Sequence, residues 1–258
     1  MHRYLFLALV ILSVAVPAQA SGTRKVEWPL RGRDLTLTVY DPSSAPKGTV
    51  LMGSGDVGWV GLGVSMAEDL SAQGYRVVGI NVRQYLAAFT DRQNHLGVHD
   101  VPQDYRDLSD LLKRSGLLVR PVIVSGVSEG AGLAVLAAAD PKNHDWIDGV
   151  IAIGLPPTAE LAWRWTDAAS WITKRDPEEP SFTATDFLAG VSPVPLVMIQ
   201  STKDEYVSEQ DYRRYESVAR PPRKLVLINA SNHRFTDRRA EVRTAYFDAL
   251  AWIREAHP

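Results

Sequence analysis

Short, unbroken apolar runs recur along this chain, each separated from the next by a stretch of helical periodicity. Thr49-Val50-Leu51-Met52, Arg76-Val77-Val78-Gly79-Ile80, Pro121-Val122-Ile123-Val124, Gly149 to Ile153, Pro195 to Gln200 and Lys224 to Ile228 are such runs. Between them, Met66 to Gln73, Val101 to Arg114 and Ala131 to Ala139 read as helices, and Arg239 to Glu255 closes the chain as another. Strands without polar alternation are buried on both faces, and helices between them supply the crossovers of a parallel sheet. The pattern therefore predicts an α/β fold with a mostly parallel sheet and helices on both faces. Leu35, Leu37 and Val39 alternate with polar residues, as in a half-buried edge strand. In such sheets the functional loops lie beyond the carboxyl ends of the strands.

The first twenty residues stand apart. A short positive start, an apolar run from Tyr4 to Val16 and Ala18-Gln19-Ala20 have the form of a secretory leader cleaved after Ala20. The apolar stretch is shorter than the ~20 residues of a membrane span. This predicts a leader at 1–20, one domain at 21–258, and a periplasmic or secreted protein. The sequence holds no cysteine, which excludes disulfides, thiolate metal sites and lipoprotein attachment. A net charge of −2 offers no basic surface for nucleic acid.

Gly126-Val127-Ser128-Glu129-Gly130 fits Gly-x-Ser-x-Gly, with an apolar strand before it and an alanine-rich helix after it. Strand, sharp turn and helix are the setting of a nucleophile elbow. Ser128 is then the candidate nucleophile at a helix N-terminus, and the Glu129 N–H is half of an oxyanion hole. A serine hydroxyl needs a base. His233, in the loop after the last strand, fits that place better than His144 or His257, and His95 and His99 read as loop residues rather than metal ligands. Asp204, after the strand ending at Gln200, is the candidate acid that orients the base. Glu205 is its nearest rival; Asp211 lies in the next helix and Asp237 past the histidine.

Gly53-Ser54-Gly55-Asp56-Val57-Gly58-Trp59 follows the first apolar strand. The second oxyanion N–H comes from such a loop, here from Asp56 or Val57. The loop lacks the Gly-Lys-Ser/Thr of a phosphate-binding loop, and no cofactor is called for. The Asp56 carboxylate either caps the next helix or binds a cationic part of a substrate. Trp59 is a packing residue or a stacking platform. The segment 156–192, with Trp163, Trp165, Trp171 and Phe182, is a small lid or a plain surface excursion.

Elbow, acid and base together resemble the α/β-hydrolase superfamily over most of the chain. More narrowly, Gly53 to Trp59, Gly79-Ile80-Asn81-Val82-Arg83-Gln84-Tyr85 and Gly126 to Ala131 resemble the VirJ/AcvB family of bacterial virulence proteins. The chain departs from the family pattern at Val57, Val127 and Glu129, and after Tyr85. The resemblance implies a periplasmic esterase acting on aminoacyl-phosphatidylglycerol, a lipid with a cationic head group, with access to a membrane surface. Asp56, Trp59 and Tyr85 are the candidate substrate-binding positions. The rival readings are a general acyl or acetyl esterase for a small-molecule ester, and a non-catalytic binding protein on the same scaffold.

Overall fold

The computed structural model describes residues 22–91, 94–163 and 180–256. The leader at 1–20, His257, Trp165 and Trp171 lie outside the described residues. Eight strands form the main sheet, in the order β1-β2-β4-β3-β5-β6-β9-β10. They are β1 (Gly22–Leu30), β2 (Arg33–Asp41), β3 (Thr49–Gly53), β4 (Arg76–Ile80), β5 (Val122–Val127), β6 (Gly149–Ile153), β9 (Leu196–Ser201) and β10 (Arg223–Ile228). From β4 to β10 every neighbouring pair is parallel; β1–β2 and β2–β4 are antiparallel.

The expected edge strand is therefore not an edge. β1 pairs along the outside of β2 in full register, from Gly22 opposite Asp41 to Leu30 opposite Arg33. The strand escapes notice in the sequence because Arg24, Lys25 and Glu27 dominate its outer half. Its inward residues Trp28 and Leu30 are nonetheless buried.

Seven helices cover the sheet among the described residues: α1 (Leu62–Ala72), α2 (Val82–Phe89), α3 (Asp100–Arg114), α4 (Glu129–Ala139), α5 (Thr185–Leu188), α6 (Glu209–Val218) and α7 (Arg239–Ala256). Successive residues of a strand point to opposite faces, and two cores result. On β5, Val122 and Val124 join the core beneath α2 to α6, while Ile123 joins the core beneath α1 and α7. On β9, Met198 faces the first core and Ile199 the second. This is why the strands read as unbroken apolar runs.

Helix α2 is not foreseen from the sequence. Asn81, directly after β4, caps it by accepting the Gln84 N–H at 3.2 Å. In the 156–192 segment, β7 (Thr158–Glu160) and β8 (Ser181–Thr183) form a two-stranded antiparallel sheet. Ala159 and Phe182 of that pair are buried against α4. No helix among the described residues is long and apolar enough to cross a membrane.

Candidate active site

Ser128 sits between β5 and α4 with φ 54° and ψ −121°. That backbone conformation is strained for a residue with a Cβ. It persists because the elbow is clamped from both sides. The Ser128 N–H donates to the Ile153 carbonyl, and its own carbonyl accepts from Ala131. A Cβ on Gly126 would stand 2.1 Å from the backbone of Gly130, so strand and helix approach only if position 126 is glycine.

His233 Nε2 lies 3.0 Å from Ser128 Oγ, and His233 Nδ1 lies 2.7 Å from Asp204 Oδ2. The three side chains predicted from the sequence thus form one continuous hydrogen-bonded chain. The Asp204 carboxylate is fixed in this orientation by its other oxygen, which accepts the N–H groups of Tyr206 and Val207 at 2.8 and 3.1 Å. The rival acid, Glu205, has a different place. It accepts the backbone N–H of His233 at 2.8 Å and so pins the loop that carries the imidazole. Asp211 closes a capping box on α6 with Ser208, and Asp237 accepts the N–H and hydroxyl of Ser231. His144 bonds the Ala138 carbonyl and is remote from this chain of bonds.

Phe235, at φ 52° and fully buried, anchors the far side of the His233 loop in the second core. His233 itself is 8% exposed. Burial pulls its pKa down. The hydrogen bond and charge of Asp204, helped by Glu129 and Glu205, outweigh that and leave it above the ordinary imidazole value. Tyr206, 59% exposed, stands edge-on to the His233 ring at 5.2 Å between centroids. The sequence offered no signal for it beyond its place after the acid.

Two carboxylates flank the serine. Glu129 Oε2 accepts the Ser128 hydroxyl at 2.7 Å. Burial lifts the Glu129 pKa and the charge of Asp56 lifts it further, against the pull of Ser128, its own N–H and His233. Burial also raises the pKa of Asp56, opposed by the Val57 N–H, Arg234, its own N–H and His233. Of the two readings of Asp56, the helix cap is not realised. The N-cap of α1 is Gly61, and no side chain caps it.

Two expectations about substrate contacts need correction. Tyr85 does not reach the site. It is buried, stacks on Trp28 at 5.7 Å and donates its hydroxyl to Asp104 Oδ2 at 2.6 Å. Trp59 is a packing residue. Its Nε1 donates to the Tyr40 hydroxyl at 3.1 Å, and a Cβ on Gly79 would stand 2.3 Å from its ring. The motifs 53–59 and 79–85 thus interlock with each other. Among the described residues, no cluster of histidines and carboxylates could hold a metal ion.

A doubly covered, mostly parallel sheet with a strained serine elbow after β5, an acid after β9 and a histidine after β10 defines an α/β-hydrolase fold. Solved structures agree. The esterase domain of a Rhodothermus marinus protein superposes with TM-score 0.62 at 20% identity, covering 91% of this chain and 99% of that one. A putative dienelactone hydrolase from Klebsiella pneumoniae superposes with TM-score 0.67 at 14% identity and the same coverage. Within that fold, the chain belongs to the bacterial virulence protein (VirJ) family, whose pattern it matches over residues 48–224. It is also 32% identical over 132 residues to the uncharacterized protein YfhR of Escherichia coli O157:H7. That match spans 50% of this chain and 44% of the relative.

Proposed function

We propose that the protein is an exported serine hydrolase that cleaves carboxylic esters, with Ser128 as nucleophile, His233 as base and Asp204 as the acid that orients it. The observation that carries this reading is the chain of bonds from Asp204 Oδ2 through the imidazole to Ser128 Oγ. Asp204 fixes the ring proton on Nδ1 and leaves the Nε2 lone pair toward the serine. His233 takes the hydroxyl proton as Oγ attacks the ester carbonyl. The N–H groups of Glu129 and of the Asp56–Val57 loop hold the oxyanion. His233 then returns the proton to the leaving alcohol. Water, deprotonated by the same imidazole, releases the acid and regenerates the serine.

The ester this reading favours is an aminoacyl ester of a phospholipid. Membership of the VirJ family supports it, as do two structural features. Asp56 and Glu129 put negative charge beside the nucleophile, where a substrate ammonium would be welcome. Val57, Val60 and Tyr206 are exposed apolar residues on the loops after β3 and β9, where an acyl chain or lipid surface would lie. The first test is hydrolysis of p-nitrophenyl acetate, which Ser128→Ala should abolish; full activity in that variant refutes the nucleophile. The second compares alanyl and acetyl esters in Asp56→Asn. A loss confined to the alanyl ester supports aminoacyl specificity, and equal losses favour a general acyl esterase. N-terminal sequencing of the periplasmic protein tests cleavage after Ala20.

A further inference from the structure

The Ser128 hydroxyl has one proton and two acceptors. Glu129 Oε2 stands 2.7 Å from Oγ, and His233 Nε2 stands 3.0 Å from it. The shorter contact goes to the carboxylate, and a hydrogen bond to an ionised acceptor is roughly twice as strong as a neutral one. The two acceptors therefore compete, and in the resting geometry the carboxylate holds the advantage.

That carboxylate also stands at the start of α4, where the first N–H groups have no intrahelical partner. The Ser128 side chain does not cap this helix. The Glu129 N–H, assigned to the oxyanion, is one of those first donors.

We propose that the resting site is self-occupied: the Glu129 carboxylate withholds the Ser128 hydroxyl from His233, and a bound ester has to displace it before attack. This rests on Ser128 being the nucleophile. Glu129 is then a latch that slows reaction with weakly bound esters and yields to a substrate that binds well enough to move it. The groups facing it are Asp56, His233 and the Ser128 hydroxyl. Behind them stand Arg234 on Asp56 and the carboxylates Asp204 and Glu205 on His233. The Glu129 charge also helps hold the His233 pKa up. Removing it therefore lowers that pKa and extends the neutral, competent imidazole to lower pH.

The test is kcat/KM for p-nitrophenyl acetate across about pH 4 to 9, in the full protein and in Glu129→Gln and Glu129→Ala. Both variants should raise the plateau, by about tenfold or more, equivalent to about 1.4 kcal/mol. Both should move the acidic limb to lower pH. The alanine variant keeps a good helix former at the start of α4 and serves if the amide perturbs folding. A plateau that stays level or falls in both, with the acidic limb unmoved, overturns the latch. Ser128→Ala, measured alongside, separates the two claims. Its inactivity leaves the nucleophile reading intact whatever the latch result, and its activity would remove that reading itself.

Discussion

The two ends of the sheet each hold carboxylates away from water and treat them in opposite ways. At the amino ends of the parallel strands, Asp41 accepts Arg76 Nε at 2.6 Å and Arg24 Nε at 2.8 Å. Arg76 Nη1 donates to the carbonyls of Gly116 and Leu117. Burial lifts the Asp41 pKa, but the two guanidinium groups overcome it, and the net value lies below the ordinary one. At the carboxyl ends, burial lifts Glu129 and Asp56, and the nearby positive charges are too weak to pull them back below their ordinary values. One kind of group thus does two jobs. Clasped by arginine it fastens β1, β2 and β4 together; held beside a strained serine with its pKa raised, it governs a proton.

The largest effects should come from breaking the carboxyl end. Asp204→Asn leaves the imidazole without its orienting anion and should lower kcat about 10⁴-fold, read as p-nitrophenyl ester turnover. The melting temperature should move little by comparison, because the residue serves the imidazole and its own turn.

Arg76→Ala tests the other end. It leaves Asp41 buried with only the half-exposed Arg24, and should cost about 3–5 kcal/mol in urea unfolding. The kcat of the folded fraction should stay unchanged. A variant that loses turnover but not stability would contradict the division between the ends. The pH dependence has a definite sign. Because the folded pKa of Asp41 is lowered, its stabilisation is complete above the ordinary carboxylate value of 3.8 and is lost as pH falls through the lowered one. Acid unfolding of the wild type should steepen there.

A smaller effect is expected at Tyr206, which leans on His233 from the solvent side. Tyr206→Ala should change KM or kcat by about threefold, in keeping with an aromatic contact worth about 0.5–1.5 kcal/mol. Steady-state kinetics with one neutral ester is sufficient to measure it.

Sequence reasoning reached the carboxyl end of the sheet more easily than the amino end. The Gly-x-Ser-x-Gly turn, the acid after β9 and the histidine after β10 are local patterns in predictable loops, and Ser128, Asp204 and His233 do converge. Strand β1 was hidden because its charged outer half masks an inward set completed only by pairing with β2. Helix α2 was hidden because it is short and its cap, Asn81, directly follows a strand. Tyr85 shows the reverse failure: its motif pointed to the site, yet Trp28 and Asp104 draw it into the core. Glu205 and Glu129 could be named from the sequence as a rival acid and a helix-start charge. Their contacts with the His233 backbone and the Ser128 hydroxyl depend on side-chain placement across 28 residues in one case and across a strained turn in the other.

Fluorophosphonate labelling followed by peptide mass spectrometry tests the central claim most directly. The account predicts a single adduct, on Ser128, that disappears in His233→Ala. An adduct on another residue, or ester hydrolysis by a protein that takes up no label, would contradict it.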